Sequence, residues 1–122
     1  MIKVLDETVS FYEANPDKRS IQDVATNGCL YFGDGGRCCA VGRLIPESWA
    51  DVVESECNDA DVSDLFDLHP SLQEEIDLPI EFLSDLQIYH DRPDFWYKTS
   101  ISRNVRSNFV HEIRKNIIHN WY

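Results

Sequence analysis

Apolar residues recur along the start of the chain at the spacing of one helix face. Ile2, Leu5, Val9 and Tyr12 form the stripe with Phe11 beside it, which predicts a helix over 2–14. Asn15-Pro16 stops it, because the residue before a proline is pushed out of helical backbone. Ser20-Ile21-Gln22-Asp23 reads as a short helix start, and Asn27-Gly28 as its end. Cys29-Leu30-Tyr31-Phe32 is a compact apolar run and reads as a strand. Asp34-Gly35 is a hairpin turn signal, since both central residues of that turn want positive φ. The register that follows sets Phe32 opposite Arg37, Tyr31 opposite Cys38, Leu30 opposite Cys39 and Cys29 opposite Ala40. Cys29, Tyr31 and Cys38 then share one side of the ribbon, and Leu30, Phe32 and Cys39 the other.

Past the ribbon the pattern turns helical again. Ala40 to Ile45 leads from strand into a helical segment, and Pro46 opens a helix with Trp49, Val52 and Val53 on its apolar side. An acidic loop precedes a short helix carrying Val62, Leu65 and Phe66. Pro70 and Pro79 mark two further starts, and the second helix lines up Phe82, Leu83, Leu86 and Tyr89 before Asp91-Arg92-Pro93-Asp94 breaks it. The last stretch shows Ile101, Val105, Phe109, Ile113 and Ile117 at four-residue steps, widened by Val110 and Trp121. The expected fold is mostly α (α+β): several short helices around a small two-stranded β-hairpin, closed by a long C-terminal amphipathic helix. Its core is expected to hold Leu44, Ile45, Phe82, Leu83, Leu86, Val105, Phe109 and Ile113.

Length adds that the 122 residues form one domain, 1–122, large enough for a core without staples. No apolar run reaches the ~18 residues of a membrane span. Asp6, Glu7 and Glu13 interrupt any signal-like stretch at the N-terminus, so a cytoplasmic protein is expected. Its four cysteines, with no CxxC among them, are then reduced and mostly buried.

Charge changes the picture most. There are 22 acidic and 11 basic residues, for a net charge of -11. Residues 47–94 hold fifteen acids and one base, Arg92, whereas 98–122 hold five bases and one acid, Glu112. One reading is a solubilising face with the basic last helix folded against it. The sharper reading is a surface that attracts basic proteins or imitates a phosphate backbone. Glu54, Glu56, Asp59, Asp61, Asp64 and Asp67 would carry it, with Trp96 and Tyr97 as aromatic anchors. Direct nucleic-acid binding is disfavoured, because phosphates need cations.

The stretch GDGGRCCAVGRLIP, residues 33–46, invites chemistry. A thiol nucleophile needs a neighbour that lowers its pKa. Cys39 lies just before a helical start, and His90 followed by Asp91 closes a helix able to pack on it, so Cys39, His90 and Asp91 form a candidate catalytic set. Cys29, Cys39 and His90 are an alternative zinc set, although no pair has the short spacing of zinc motifs. Residues 59–64, DADVSD, begin like a calcium loop, but Asp64 holds its glycine position and Pro70 its final glutamate position. The glycine turn lacks the lysine and serine or threonine of a phosphate loop. No cofactor is expected.

Residues 29–46, CLYFGDGGRCCAVGRLIP, together with 86–91, LQIYHD, resemble a group of small uncharacterised proteins of bacteriophages and bacterial genomes. The shared pattern joins C-x-Y, a glycine turn, CA[VI]G-x-LIP and a later LQ-x-x-HD. It is matched at Cys29, Tyr31, Gly36, Cys39, Ala40, Gly42, Leu44, Ile45, Pro46, Leu86, Gln87, His90 and Asp91, within residues 20–97. Cys38 and the acidic 47–77 region depart from it. The resemblance implies a setting, a phage or mobile-element protein aimed at host machinery. The expected function is a non-catalytic acidic accessory protein that binds a host protein in the host cytoplasm, itself basic or nucleic-acid-binding, as an inhibitor of host defence or metabolism. The alternatives are a small thiol enzyme and a zinc-stabilised module. A homodimer is compatible with the opposed charges of middle and last helix.

Overall fold

The computed structural model describes residues 1–19, 30–33 and 36–122. The Ser20–Asp23 helix start, the Asn27-Gly28 stop, Cys29 and the Asp34-Gly35 turn lie outside the described residues.

Among the described residues six α-helices follow one another: α1 (Ile2–Ala14), α2 (Glu47–Glu56), α3 (Val62–Leu68), α4 (Pro70–Ile76), α5 (Ile80–Asp91) and α6 (Ser100–Ile118). Prolines do the punctuation. Pro46 and Pro79 immediately precede α2 and α5, and Pro70 is the first residue of α4. Asp61 caps α3 by accepting from the Asp64 N–H at 2.8 Å, and Thr99 caps α6 by accepting from the Ser102 N–H at 3.0 Å. Asp77 ends α4 in the left-handed region at φ 52°, a conformation that Asp tolerates better than most residues.

The two-stranded hairpin is not formed. No strand occurs among the described residues, only two isolated bridges, Phe32 with Cys38 and Arg19 with Cys38. Two causes are visible. Asn58 takes the bonds a ladder would need: its backbone carbonyl accepts from the Tyr31 N–H, and its side-chain amide bonds both the N–H and the carbonyl of Phe32, all at 2.9 Å. After Cys39 the chain coils at once into a 3-10 turn over Gly42–Leu44, so there is no second strand to pair. The pairing that survives is also one residue off the expected register, with Phe32 opposite Cys38 instead of Arg37. Gly36 at φ +75° accommodates the longer turn.

The core draws on all six helices and on the 39–45 corner. Leu5, Tyr12, Tyr31, Cys39, Val41, Val53, Leu65, Leu72, Phe82, Leu83, Leu86 and Ile113 are all buried. Of the expected core, Leu44 and Phe109 are only half-buried, and Val105 is exposed. A four-residue step advances about 40° beyond a full turn, so the stripe Ile101–Ile117 winds round the helix. The buried line follows Ser102, Arg106, Phe109 and Ile113 instead, which leaves Ile101 exposed. Arg106 holds its buried place by pairing. Its guanidinium donates to both oxygens of Glu13 at 2.6 and 2.8 Å and lies over the Trp96 ring at 4.5 Å. Arg114 bonds Asp6 at 2.7 Å, so α6 is tied to α1 along its length, the two helices running antiparallel.

Candidate functional site

The glycine–cysteine segment becomes a tight buried corner. The Gly42 N–H donates to the Cys39 Sγ at 3.3 Å, and the Val41 N–H donates to Gln87 Oε1 at 2.8 Å. Gly42 is required here by close approach: a Cβ would press into the Tyr31 backbone. The Tyr12 hydroxyl donates to the Cys38 carbonyl at 2.6 Å, and its ring stands edge-on to His90 at 5.0 Å. The His90 carbonyl accepts from Arg19 Nε at 2.8 Å. The corner's backbone is thus fastened to α1 through the Tyr12 hydroxyl and to α5 through the Gln87 side chain.

Its electrostatics favour neutral forms. Cys39 has no exposed surface, and burial pushes its thiol up to about 12, against smaller opposing pulls from the Gly42 N–H and the Gln87 side chain. Burial also raises Cys38 and Cys57. His90 is fully buried and held below its ordinary value by burial, which the Asp91 hydrogen bond only partly offsets. Its Nδ1 lies 2.6 Å from Asp91 Oδ1. A carboxylate only accepts, so Nδ1 carries the proton of a neutral imidazole. A thiol kept protonated at neutral pH and a histidine kept neutral are the reverse of an activated nucleophile pair.

Above the corner opens a cavity of about 340 Å³ between the 59–62 loop and α5. Ser84, Gln87, Ile88 and Asp91 line one wall, spaced to share one helix face. Asp59, Ala60, Asp61 and Val62 line the other. Arg92 also borders it, but bonds Asp94 at 3.1 and 2.7 Å and lies over the Phe95 ring. In the core, Tyr31 is 1% exposed and its buried hydroxyl has no hydrogen-bond partner.

The expected residues divide between places. Asp59, Asp61 and Asp91 meet at this cavity, and His90 sits directly behind Asp91. Glu54 and Glu56 on α2 and Asp64 and Asp67 on α3 are exposed and do not line it. Trp96 and Tyr97 lie elsewhere: they line a separate cavity of about 320 Å³ with Lys98, Arg103 and Arg106. For the zinc set, Cys29 lies outside the described residues, and no three metal-ligating side chains cluster among the described ones. Gln87 and Ser84 are the additions that sequence reasoning did not single out as site residues. For Gln87 and Ser84 the signal was present, since 84, 87, 88 and 91 fall on one helical face.

The acidic middle is left unneutralised. The twelve carboxylates from Glu47 to Glu81 are all exposed, no Lys or Arg lies among them, and none is ion-paired to a Lys or Arg among the described residues. The last helix does not supply the missing cations: Arg106 and Arg114 are spent on α1, and Lys115 lies 4.0 Å from Glu112 on its own helix.

Comparison with family models, curated proteins and solved structures finds no match to this chain. No helix among the described residues is long and apolar enough to cross a membrane.

Proposed function

We propose that the protein is a non-catalytic acidic binder of a basic host protein, the accessory role that the resemblance to phage proteins suggests. One observation carries the reading: twelve exposed carboxylates on α2–α5 and their loops have no Lys or Arg ion-paired to them among the described residues. Such a surface carries a field of several kT, which steers oppositely charged partners and selects among them. The corner supports the same reading, because Cys39 is built as a packing residue and its thiol stays protonated. Reduced, buried cysteines fit the reducing cytoplasm of a host cell. Blocking a basic surface of that partner would make the protein an inhibitor.

Capture from host lysate tests this, followed by reconstitution with the purified partner. The native chain should hold a basic protein at about 50 mM salt and release it at about 500 mM, where the Debye length shrinks to a few ångströms. Glu54→Lys with Asp64→Lys and Asp67→Lys should abolish binding while leaving the thermal midpoint within a few degrees. A partner that binds equally at both salt concentrations, or equally to the reversed variant, would overturn the reading.

A further inference from the structure

The second cavity, of about 320 Å³, joins unpaired cations to exposed aromatic surface. Lys98 and Arg103 border it with Trp96, Tyr97 and Pro16. Both cations are exposed, and neither makes an ion pair among the described residues. Glu13 also lines the cavity, but both its oxygens are taken by Arg106. The lining therefore keeps two uncompensated positive charges, on a protein whose net charge is -11. Between them Tyr97 is 61% exposed. Tyrosine, tryptophan and arginine are the side chains that anchor protein contacts most often.

The chain carries a surface of the opposite chemistry on α3. Asp64, Asp67 and Leu68 stand at i, i+3 and i+4, so they share one helix face, and all three are exposed. Leu68 is 61% exposed and is the one large apolar side chain exposed between Glu47 and Glu81. An apolar knob beside two carboxylates is the complement of an aromatic hollow beside two cations. No residue from Glu47 to Glu81 lines that hollow, so the two surfaces do not meet within one chain.

We propose that they meet between chains: the Trp96–Tyr97 cavity receives the α3 face of a second copy, with Leu68 against the aromatic rings and Asp64 and Asp67 at Lys98 and Arg103. The contact is head-to-tail, and it closes into a symmetric pair where both contacts form at once. At about 150 mM salt the Debye length is about 8 Å, so the net negative charges of two copies are largely screened while charges in contact still attract. The inference goes beyond the host-partner reading but touches it, because Asp64 and Asp67 would be covered. A basic partner and a second copy then compete for the same carboxylates.

Sedimentation of the full chain alone, from about 10 µM to about 1 mM at about 150 mM salt, is the test. The mean mass should rise with concentration, with a dissociation constant of about 10 µM to 1 mM, as suits a small contact. At about 1 M salt, where the Debye length is about 3 Å, association should weaken at least about fivefold. Lys98→Glu with Arg103→Glu should weaken it at least about tenfold, and so should Asp64→Lys with Asp67→Lys, because each variant sets like charges against each other. Mixed in equal amounts, the two variants offer opposite charges at both contacts again, and association should return. Misfolding of either variant would not give that recovery. A chain that stays monomeric at about 1 mM, reversals that change nothing, or a mixture that stays monomeric would each overturn the contact. If the chain stays monomeric but a short glutamate peptide gives saturable amide shifts at Tyr97 and Lys98, the cavity takes a foreign acidic segment and the self-contact falls. Capture of a basic partner by a monomeric chain would leave the acidic-binder reading standing and remove only this inference.

Discussion

Replacing Gly42 with alanine should destabilise the protein more than the same change at Gly36, although only Gly36 has a positive φ. A Cβ built on Gly42 falls inside the contact shell of the Tyr31 carbonyl oxygen and lies 2.9 Å from its carbon and 3.2 Å from its Cα. Carbon atoms pack at about 3.5–4.0 Å, so the two backbone segments must part by roughly 1 Å. The Tyr31 carbonyl accepts the Cys39 N–H at 3.3 Å, already long, and that separation breaks the bond. Overpacking costs about 1–3 kcal/mol, and a lost buried hydrogen bond adds about 1 kcal/mol. The sum is about 2–4 kcal/mol. At roughly 2.1 cal/mol/K of unfolding entropy per residue, a chain of 122 residues loses about 8–16 °C in Tm. Gly36 has nothing within 4 Å of its would-be Cβ, so alanine there meets only left-handed strain, about 1 kcal/mol or ~4 °C. Calorimetry and urea unfolding of both variants read the difference. A Gly42→Ala variant as stable as Gly36→Ala, with an unchanged m-value, would refute the close-approach account of the corner.

Other outcomes follow from the same contacts. Arg106→Met removes the guanidinium that pairs with Glu13 and leaves the Phe95 carbonyl without its buried donor; it should cost about 1–3 kcal/mol in urea unfolding. Burial holds His90 below its ordinary value, so the unfolded chain takes up a proton that the folded chain refuses as pH falls below about 6.5. Stability should drop in that window by up to about 1.4 kcal/mol per pH unit, and His90→Asn should flatten the slope of the urea midpoint against pH. In the native protein at pH 8, a thiol reagent should label half-buried Cys38 ahead of Cys39, whose thiol is pushed up to about 12; a fast-reacting Cys39 would restore the thiol-enzyme alternative. Ile101→Ser should shift stability by less than about 0.5 kcal/mol, while Ile113→Ala should cost about 2–4 kcal/mol, which distinguishes the observed frame of α6 from the four-residue stripe.

Helix positions were legible because their signals are local. Pro46, Pro70 and Pro79 mark three starts, and an apolar stripe suffices to place α1, α5 and α6. The hairpin was misread because local turn chemistry competes with a distant residue. Asn58, 26 positions beyond Phe32, occupies the groups that a ladder would use, and nothing near Phe32 announces it. The face of α6 departs from its apolar stripe because hydrophobicity is not the sole criterion of burial: Arg106 is buried through Glu13, 93 positions away. The site divided along the same line. Acidity and the His90-Asp91 pair stood in the sequence. The meeting of Asp61 with Asp91, the orphan hydroxyl of Tyr31 and the Gln87 bond to Val41 depend on which segments pack together.

The tie between the first helix and the last also sets an order of events during synthesis. At roughly 5–20 residues per second, Glu13 waits about 5–20 s for Arg106 to be made. Until then Tyr89, which donates to Glu13 at 3.4 Å, and Trp96, which lies under the Arg106 guanidinium, lack the helix that closes over them. The nascent chain thus leaves the contact between its first and sixth helices unmade until Arg106 is added, after the whole acidic segment has been synthesised.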